Sequence, residues 1–237
     1  VTDTVTDTVT DTVTDTVTVT ETPPMPGPVY VFAGTPLGPI RVTKPAGTVS
    51  AAWIDSTAAA VLEGMLAYPE FSFDTDATTV DQLSGEPLPP AVSVFVGSGG
   101  PAVNGPVAYY EQNHETTLAP VHYGSPQPGW GAFYDSSTDN QIPGTLVELA
   151  TLPGPPKTDY FLIECFVDNN GNTVLIIYGY GGLGTFAGAL YFKEVLHPTS
   201  EDVFTPGWWI YRWRDLNGNG LPDMPAVDSI DLVASSP

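Results

Sequence analysis

The first twenty-two residues, VTDTVTDTVTDTVTDTVTVTET, constrain the fold of this chain more than any other feature. The unit VTDT repeats four times and then gives way to VTVTET. Thr holds every even position, while odd positions alternate Val and Asp before ending Val17, Val19, Glu21. Period-two alternation of β-branched residues predicts an extended strand. One face is all Thr. The other carries Val, with Asp3, Asp7, Asp11 and Asp15 spaced about 13 Å apart at ~3.3 Å per residue. Such an arm reaches about 70 Å. A body made from the rest of the chain has a diameter of roughly 45 Å. The arm is longer than its own domain, which excludes an ordinary internal strand. Residues 23–28, PPMPGP, follow as a stiff Pro-rich linker.

Three arrangements fit such an arm: a disordered Thr-rich stalk open to O-glycosylation, a strand donated to another copy by β-augmentation, or lateral bundling of arms. An extended segment with no core of its own does not order alone, so donation or bundling is expected. Donation is head-to-tail and closes a ring or runs on as a filament. A slip of four residues reproduces the same faces, and a slip of two exchanges Val for Asp. The break in the repeat at Val17-Thr18-Val19 is where register is set. The expected assembly contacts are Val9, Val13, Val17, Thr18 and Val19.

Charge narrows the partners. Six Lys and Arg face 27 Asp and Glu, for a net charge of −21. Nucleic acid and anionic lipid need a basic surface that six bases do not build. No apolar run is long enough for a membrane-spanning helix. The single cysteine, Cys165, excludes an internal disulfide framework. With Phe161, Ile163 and Val167 it falls on one face of a strand, where a buried, inert thiol is expected. The opening on Val1, without a leader, raises the expectation of a mature, exported product.

Residues 29–237 read as one globular body, with α/β or α+β character: a β-rich mixed sheet and two or three short helices. VYVFA, PIRVT and TVSAAWI predict strands, and Asp55 is placed to cap a helix over STAAAVLEGMLA. Residues 71–90 carry no regular pattern. AVSVFVG predicts a buried strand, and Asn104 before Gly105-Pro106 a helix start. WGAFYD and GTLVELATL predict strands, and DYFLIECFV–DNNGN–TVLIIYGY a hairpin. A helix from Phe186 to Leu196 is expected, capped by Thr185 and stopped by His197-Pro198. WWIYRWRD and SIDLVAS close the chain as strands.

The order of three motifs resembles archaeal surface-layer modules. GGPAVN leads into a helix with AYY. LIIYGY then runs into GGLGTFAGALYF. Finally W-x-D-x-NGNG-LPD precedes DSIDLV. The resemblance covers roughly residues 91–237. The arm lies outside it and resembles the donor strands of archaeal extracellular filament subunits. The resemblance implies a structural role in an extracellular filament or surface coat, with no catalytic residues. Its partners are other copies of the chain and, at the cell surface, glycans. The alternative is a monomeric surface module that binds carbohydrate at the end of a Thr-rich stalk.

Four local patterns bear on chemistry. Asp215, Asn217, Asn219 and Asp223, with the Leu221 carbonyl, follow the D-x-N-x-N-G spacing of a calcium loop. Asp228 stands in reserve, and Ala226 holds the place of the usual bidentate Glu. Calcium is the cofactor expected, at the modest affinity that two Asn ligands give. Gly179-Tyr-Gly181-Gly182-Leu-Gly184 is a literal dinucleotide fingerprint between strand and helix, but no second βαβ half follows it. Glu111-Gln-Asn-His114-Glu115 has room for one metal ligand or one base, and with His122 and His197 the only other histidines, catalysis is not expected. Trp208, Trp209, Tyr211 and Trp213 alternate along one strand, as packing residues or as a sugar-stacking platform.

Overall fold

The structure is a computed structural model that describes residues 31–32, 35–36, 40–46, 50–64, 66, 70–88, 92–97, 104–197, 204–223 and 227–236. The arm, the linker, Val9, Val13, Val17, Thr18 and Val19, the GGP of the GGPAVN motif and Ala226 lie outside the described residues. Within them the fold is a β-rich mixed sheet with short helices, as the sequence predicts.

Seven strands form the central sheet: β3 (Ile40–Lys44), β4 (Glu70–Phe73), β5 (Val92–Val96), β10 (Thr158–Val167), β11 (Thr173–Gly179), β12 (Gly207–Arg214) and β13 (Ser229–Ser235). Their order is β13-β12-β10-β11-β5-β3-β4. The half from β11 to β4 is parallel, and the half from β11 to β13 antiparallel. A two-residue ladder, β1 (Val31–Phe32) with β2 (Thr35–Pro36), stands apart.

Both faces of this sheet are covered, which explains the near-continuous apolar reading of β10 and β11. Phe161, Ile163 and Cys165 of β10 point one way, with Leu175, Ile177, Val94, Val96, Ile40 and Val42. They pack on α1 (Ser50–Glu63) and α4 (Gly182–Tyr191), which lie side by side. Tyr160, Leu162 and Phe166 point the other way, with Val174, Ile176, Tyr178, Phe95 and Ile210. They meet α2 (Gly105–Gln112) and a small sheet of β6 (Val121–Gly124), β7 (Trp130–Asp135) and β8 (Asn140–Gln141). The strand β9 (Val147–Glu148) also pairs with β7. Each such side chain, taken fully out of water, contributes about 1.5–3 kcal/mol. Cys165 is 1% exposed, and burial pushes its thiol well above the ordinary value. Val167 ends its strand half exposed.

The start of α2 follows the sequence closely. Asn104 Oδ1 accepts from Val107 N, its Nδ2 donates to Val96 O, and Pro106 sits in the first turn. Elsewhere the structure corrects local expectations. The segment TVSAAWI does not extend as a strand, because α1 already begins at Ser50 and Asp55 lies inside the helix, fully buried. Ala58, Ala59 and Leu62 fall on one face at helical spacing and turn toward the core. That periodicity outweighs the two β-branched residues before it. In residues 71–90, β4 forms by pairing along β3, a tertiary cause invisible locally. Of GTLVELATL only β9 is strand, and Leu149–Thr151 turn as a 3-10 helix. Helix α4 starts before Thr185, and the Thr185 hydroxyl accepts from Gly179 N at 3.0 Å instead of capping. A π-helical turn over Phe192–Leu196 carries it to His197. No helix among the described residues is long and apolar enough to cross a membrane.

Candidate functional site

The loop 215–223 brings the expected Asp and Asn residues together and binds them to each other. Asp215 Oδ1 and Oδ2 accept from Gly218 N at 2.7 Å and Gly220 N at 2.8 Å. The side-chain oxygens of Asn217 and Asn219 accept from the backbone two residues on. Their Nδ2 atoms both donate to Asp223 Oδ2, at 2.6 and 2.7 Å. Asp228 is not a spare oxygen: it accepts from Leu216 N, Asp223 N and Trp213 Nε1. Gly218 and Gly220 adopt left-handed φ values of 76° and 80°, which explains the glycines of this loop. Leu221 is exposed.

The turn 179–184 joins strand to helix as its spacing predicts, but its anion site is filled from within. Asp159 Oδ2 accepts from Gly184 N at 2.8 Å, and Oδ1 from Gly181 N and Tyr160 N. A Cβ on Gly184 would lie 2.4 Å from Tyr160 O and 2.8 Å from Asp159 Cγ. These glycines serve close packing around a buried carboxyl. Burial pushes that carboxyl up to about 7 against its hydrogen bonds, with Asp55 adding to the rise.

The tryptophans of β12 divide between the two faces of the sheet. Trp213 is fully buried, Trp209 packs with the α1/α4 side of the sheet, and Trp208 with the other.

The densest gathering of functional groups is one that the sequence shows only in fragments. Helix α3 (His114–Thr117) opens on His114, β6 carries His122, and the turn after β7 presents Asp139. The two imidazoles stack with centroids 3.6 Å apart and planes 7° from parallel, and Tyr134 stacks beyond His122. His122 Nε2 lies 3.4 Å from Asp139 Oδ1, and its Nδ1 3.2 Å from Ser136 Oγ. His114 Nδ1 lies 2.9 Å from Glu111 O. Asp135 Oδ1 accepts from Ser137 N and Thr138 N, tightening the turn that leaves Asp139 at a left-handed φ of 53°. Burial first, then the neighbouring His114, holds His122 below the ordinary imidazole value, while Asp139 and Asp135 pull it back up. An open cleft of about 290 Å³ adjoins the cluster, lined by His114, Leu118, Asp135, Ser136 and Trp208 among others.

Two buried acids hold β6 on either side of His122. Glu111 accepts from Tyr123 N and from the Tyr178 hydroxyl, and Glu164 Oε2 accepts from Val121 N at 3.2 Å. Burial pushes Glu111 up to about 7. It pushes Glu164 well above the ordinary carboxyl range, with the Glu111 charge adding to the rise. Sequence reasoning singled out Glu111 only as part of a fragment and passed over Glu164. A lone acid inside the apolar run FLIECFV was the available signal.

Comparison of the chain with family models, with curated proteins and with solved structures finds no match in any of the three.

Proposed function

We propose that this chain is a structural subunit of an extracellular filament or surface coat, assembled by donating its N-terminal strand to the sheet of a neighbouring copy. The observation that carries the reading is the edge of the central sheet. Strand β13 pairs with β12 on one side, and among the described residues no strand pairs with its other side. Unpaired N–H and C=O groups along an edge are a template for one more strand. Seven residues of edge offer about 23 Å. That matches the apolar end of the arm around Val17 and Val19 better than its whole length. Charge favours the same edge. Arg212 and Arg214 of β12 share the single carboxylate Asp231 on β13, at 3.1 and 2.7 Å. This local positive excess suits an acidic arm.

The same proposal takes in the resemblance to archaeal surface-layer modules and makes other copies of the chain its partners. Calcium belongs to it as the ion for Asp215, Asn217, Asn219, Leu221 and Asp223. The experiment is deletion of residues 1–21, read by electron microscopy and by thermal melting. The truncated chain should melt as a folded body and form no polymer. Val17→Asp with Val19→Asp should impair assembly more than Val1→Asp with Val5→Asp, because unpaired charge is costly where strand is buried. Native polymer from the truncated chain overturns strand donation.

A further inference from the structure

We propose that His114, His122 and Asp139 form a binding site for a divalent transition metal of the zinc class, separate from loop 215–223 and independent of strand donation. The ligand atoms of the three residues lie within 4.8 Å of one another. His122 Nε2 and Asp139 Oδ1 are 3.4 Å apart. Two ligands on a tetrahedral zinc, each at about 2.0–2.1 Å, are separated by about 3.3 Å. The pair therefore already stands at the spacing of one edge of such a site. The imidazoles stack in nearly parallel planes 3.6 Å apart, and an imidazole binds a metal in its own ring plane, so one ring turns well out of the stack to share an ion with the other. His114, the less buried of the two, is the ring free to turn.

Hydrogen bonding sets the tautomers. The Glu111 carbonyl only accepts, so His114 Nδ1 carries the proton and a neutral His114 ring offers its lone pair at Nε2. In His122, Nε2 faces a carboxylate and Nδ1 faces the Ser136 hydroxyl, a group that both donates and accepts. When a metal takes Nε2, the ring proton moves to Nδ1 and is donated to Ser136 Oγ. The Ser136 hydroxyl reorients, and no hydrogen bond is lost at that nitrogen. Hydrogen bonds hold the strand that carries His122 on both sides. His122 is 6% exposed, and its strand is held at Val121 N by Glu164 and at Tyr123 N by Glu111.

The chemistry of the ligands selects the metal. Two imidazoles and one carboxylate suit Zn²⁺, Co²⁺, Ni²⁺ or Cu²⁺, while Ca²⁺ and Mg²⁺ take oxygen ligands. Three protein ligands leave a fourth position for water or for a donor entering from the adjoining cleft.

The test is titration of the full chain with Co²⁺ as a spectroscopic probe, followed by Zn²⁺. Excess Mg²⁺ and Ca²⁺ are present throughout to occupy the acidic surface. One Co²⁺ per chain should bind with the visible bands of a four- or five-coordinate ion, and Zn²⁺ should displace it. His114→Ala and Asp139→Asn, at the less buried positions, should each weaken binding at least about tenfold. His122→Gln should abolish it. His197→Ala, at the third histidine, should bind as the parent does. Absence of saturable binding overturns the proposal, and so does unchanged binding by folded His114→Ala. If His122→Gln fails to fold, His114→Ala and Asp139→Asn still decide the matter.

Discussion

The buried acids predict a protein that gains stability as the solution is acidified. Glu111 moves from an ordinary 4.5 to about 7, and Asp159 from 3.8 to about 7, in both cases chiefly because burial penalises the charge. Glu164 is displaced in the same direction. A carboxyl raised in the folded state binds more protons folded than unfolded across this window. Its contribution is therefore complete below about pH 4 and is lost as pH rises through about 7. At about 1.4 kcal/mol per pH unit, Glu111 is worth about 3 kcal/mol and Asp159 about 4. His122 and His197, both lowered by burial, act oppositely below about 6.5 and offset part of the gain. A surviving 3 kcal/mol corresponds to roughly 6–12 °C in Tm for a body of this size. The assay is thermal or urea unfolding at pH 5 and pH 8 in high salt, which screens repulsion among surface acids but not the buried groups. The diagnostic variant is Glu111→Gln. Its amide copies the protonated acid, with the oxygen accepting from Tyr123 N and the NH₂ donating to Tyr178 Oη. The variant should keep the fold, lose about one group's share of the pH slope and exceed the parent at pH 8. A Tm that rises from pH 5 to pH 8, or a full slope in Glu111→Gln, refutes the reasoning.

Two further substitutions test the turns. Asp215→Ala strips the partners from Gly218 N and Gly220 N and should cost about 2–4 kcal/mol in denaturant unfolding even without calcium. It should also remove the gain in Tm that calcium gives over magnesium at equal ionic strength. Gly184→Ala places a methyl 2.4 Å from Tyr160 O. It should destabilise the body by roughly 3 kcal/mol or more, seen as lost soluble yield or a lowered Tm.

What was legible in the sequence was what local chemistry decides. The β10–β11 hairpin shows in its alternation and its DNNGN turn, and the α2 cap in Asn104 with Pro106. The start of α1 was misplaced because TVSA reads as strand over four residues and as helix only in the longer window through Leu62. Strand β4 has four residues and no pattern beyond one inward Ser72, so only its pairing to β3 defines it. The histidine cluster is assembled from a helix, a strand and a turn, and no spacing in the chain announces it. The glycines of the dinucleotide fingerprint lie between strand β11 and helix α4, as their position in the sequence predicts. Their reason, the Asp159 carboxyl seated at the helix start, comes from a neighbouring strand.

The distribution of positive charge bears on where a donated arm would dock. Four of the six bases are already engaged within the body. Arg41 meets Glu70, Lys44 meets Glu63, Lys193 meets Glu194, and Lys157 donates to Gly220 O in the loop that follows β12. The other two, Arg212 and Arg214, converge on one carboxylate at the β12–β13 edge. Exposed pairs of this kind are worth about 0–1 kcal/mol, so exchanging Asp231 for an incoming acid is nearly free. Asp3, Asp7, Asp11 and Asp15 outnumber those two arginines, so the acidic row of one arm is not matched by the chain's own bases. The segment that separates Asp15 from Glu21 carries Val17 and Val19 and no charge. If the arm is donated to this edge, the uncharged, β-branched stretch with Val17 and Val19 is the part that a sheet would bury. Under that arrangement the acidic repeats would stay in water, where a repeating register carries no penalty.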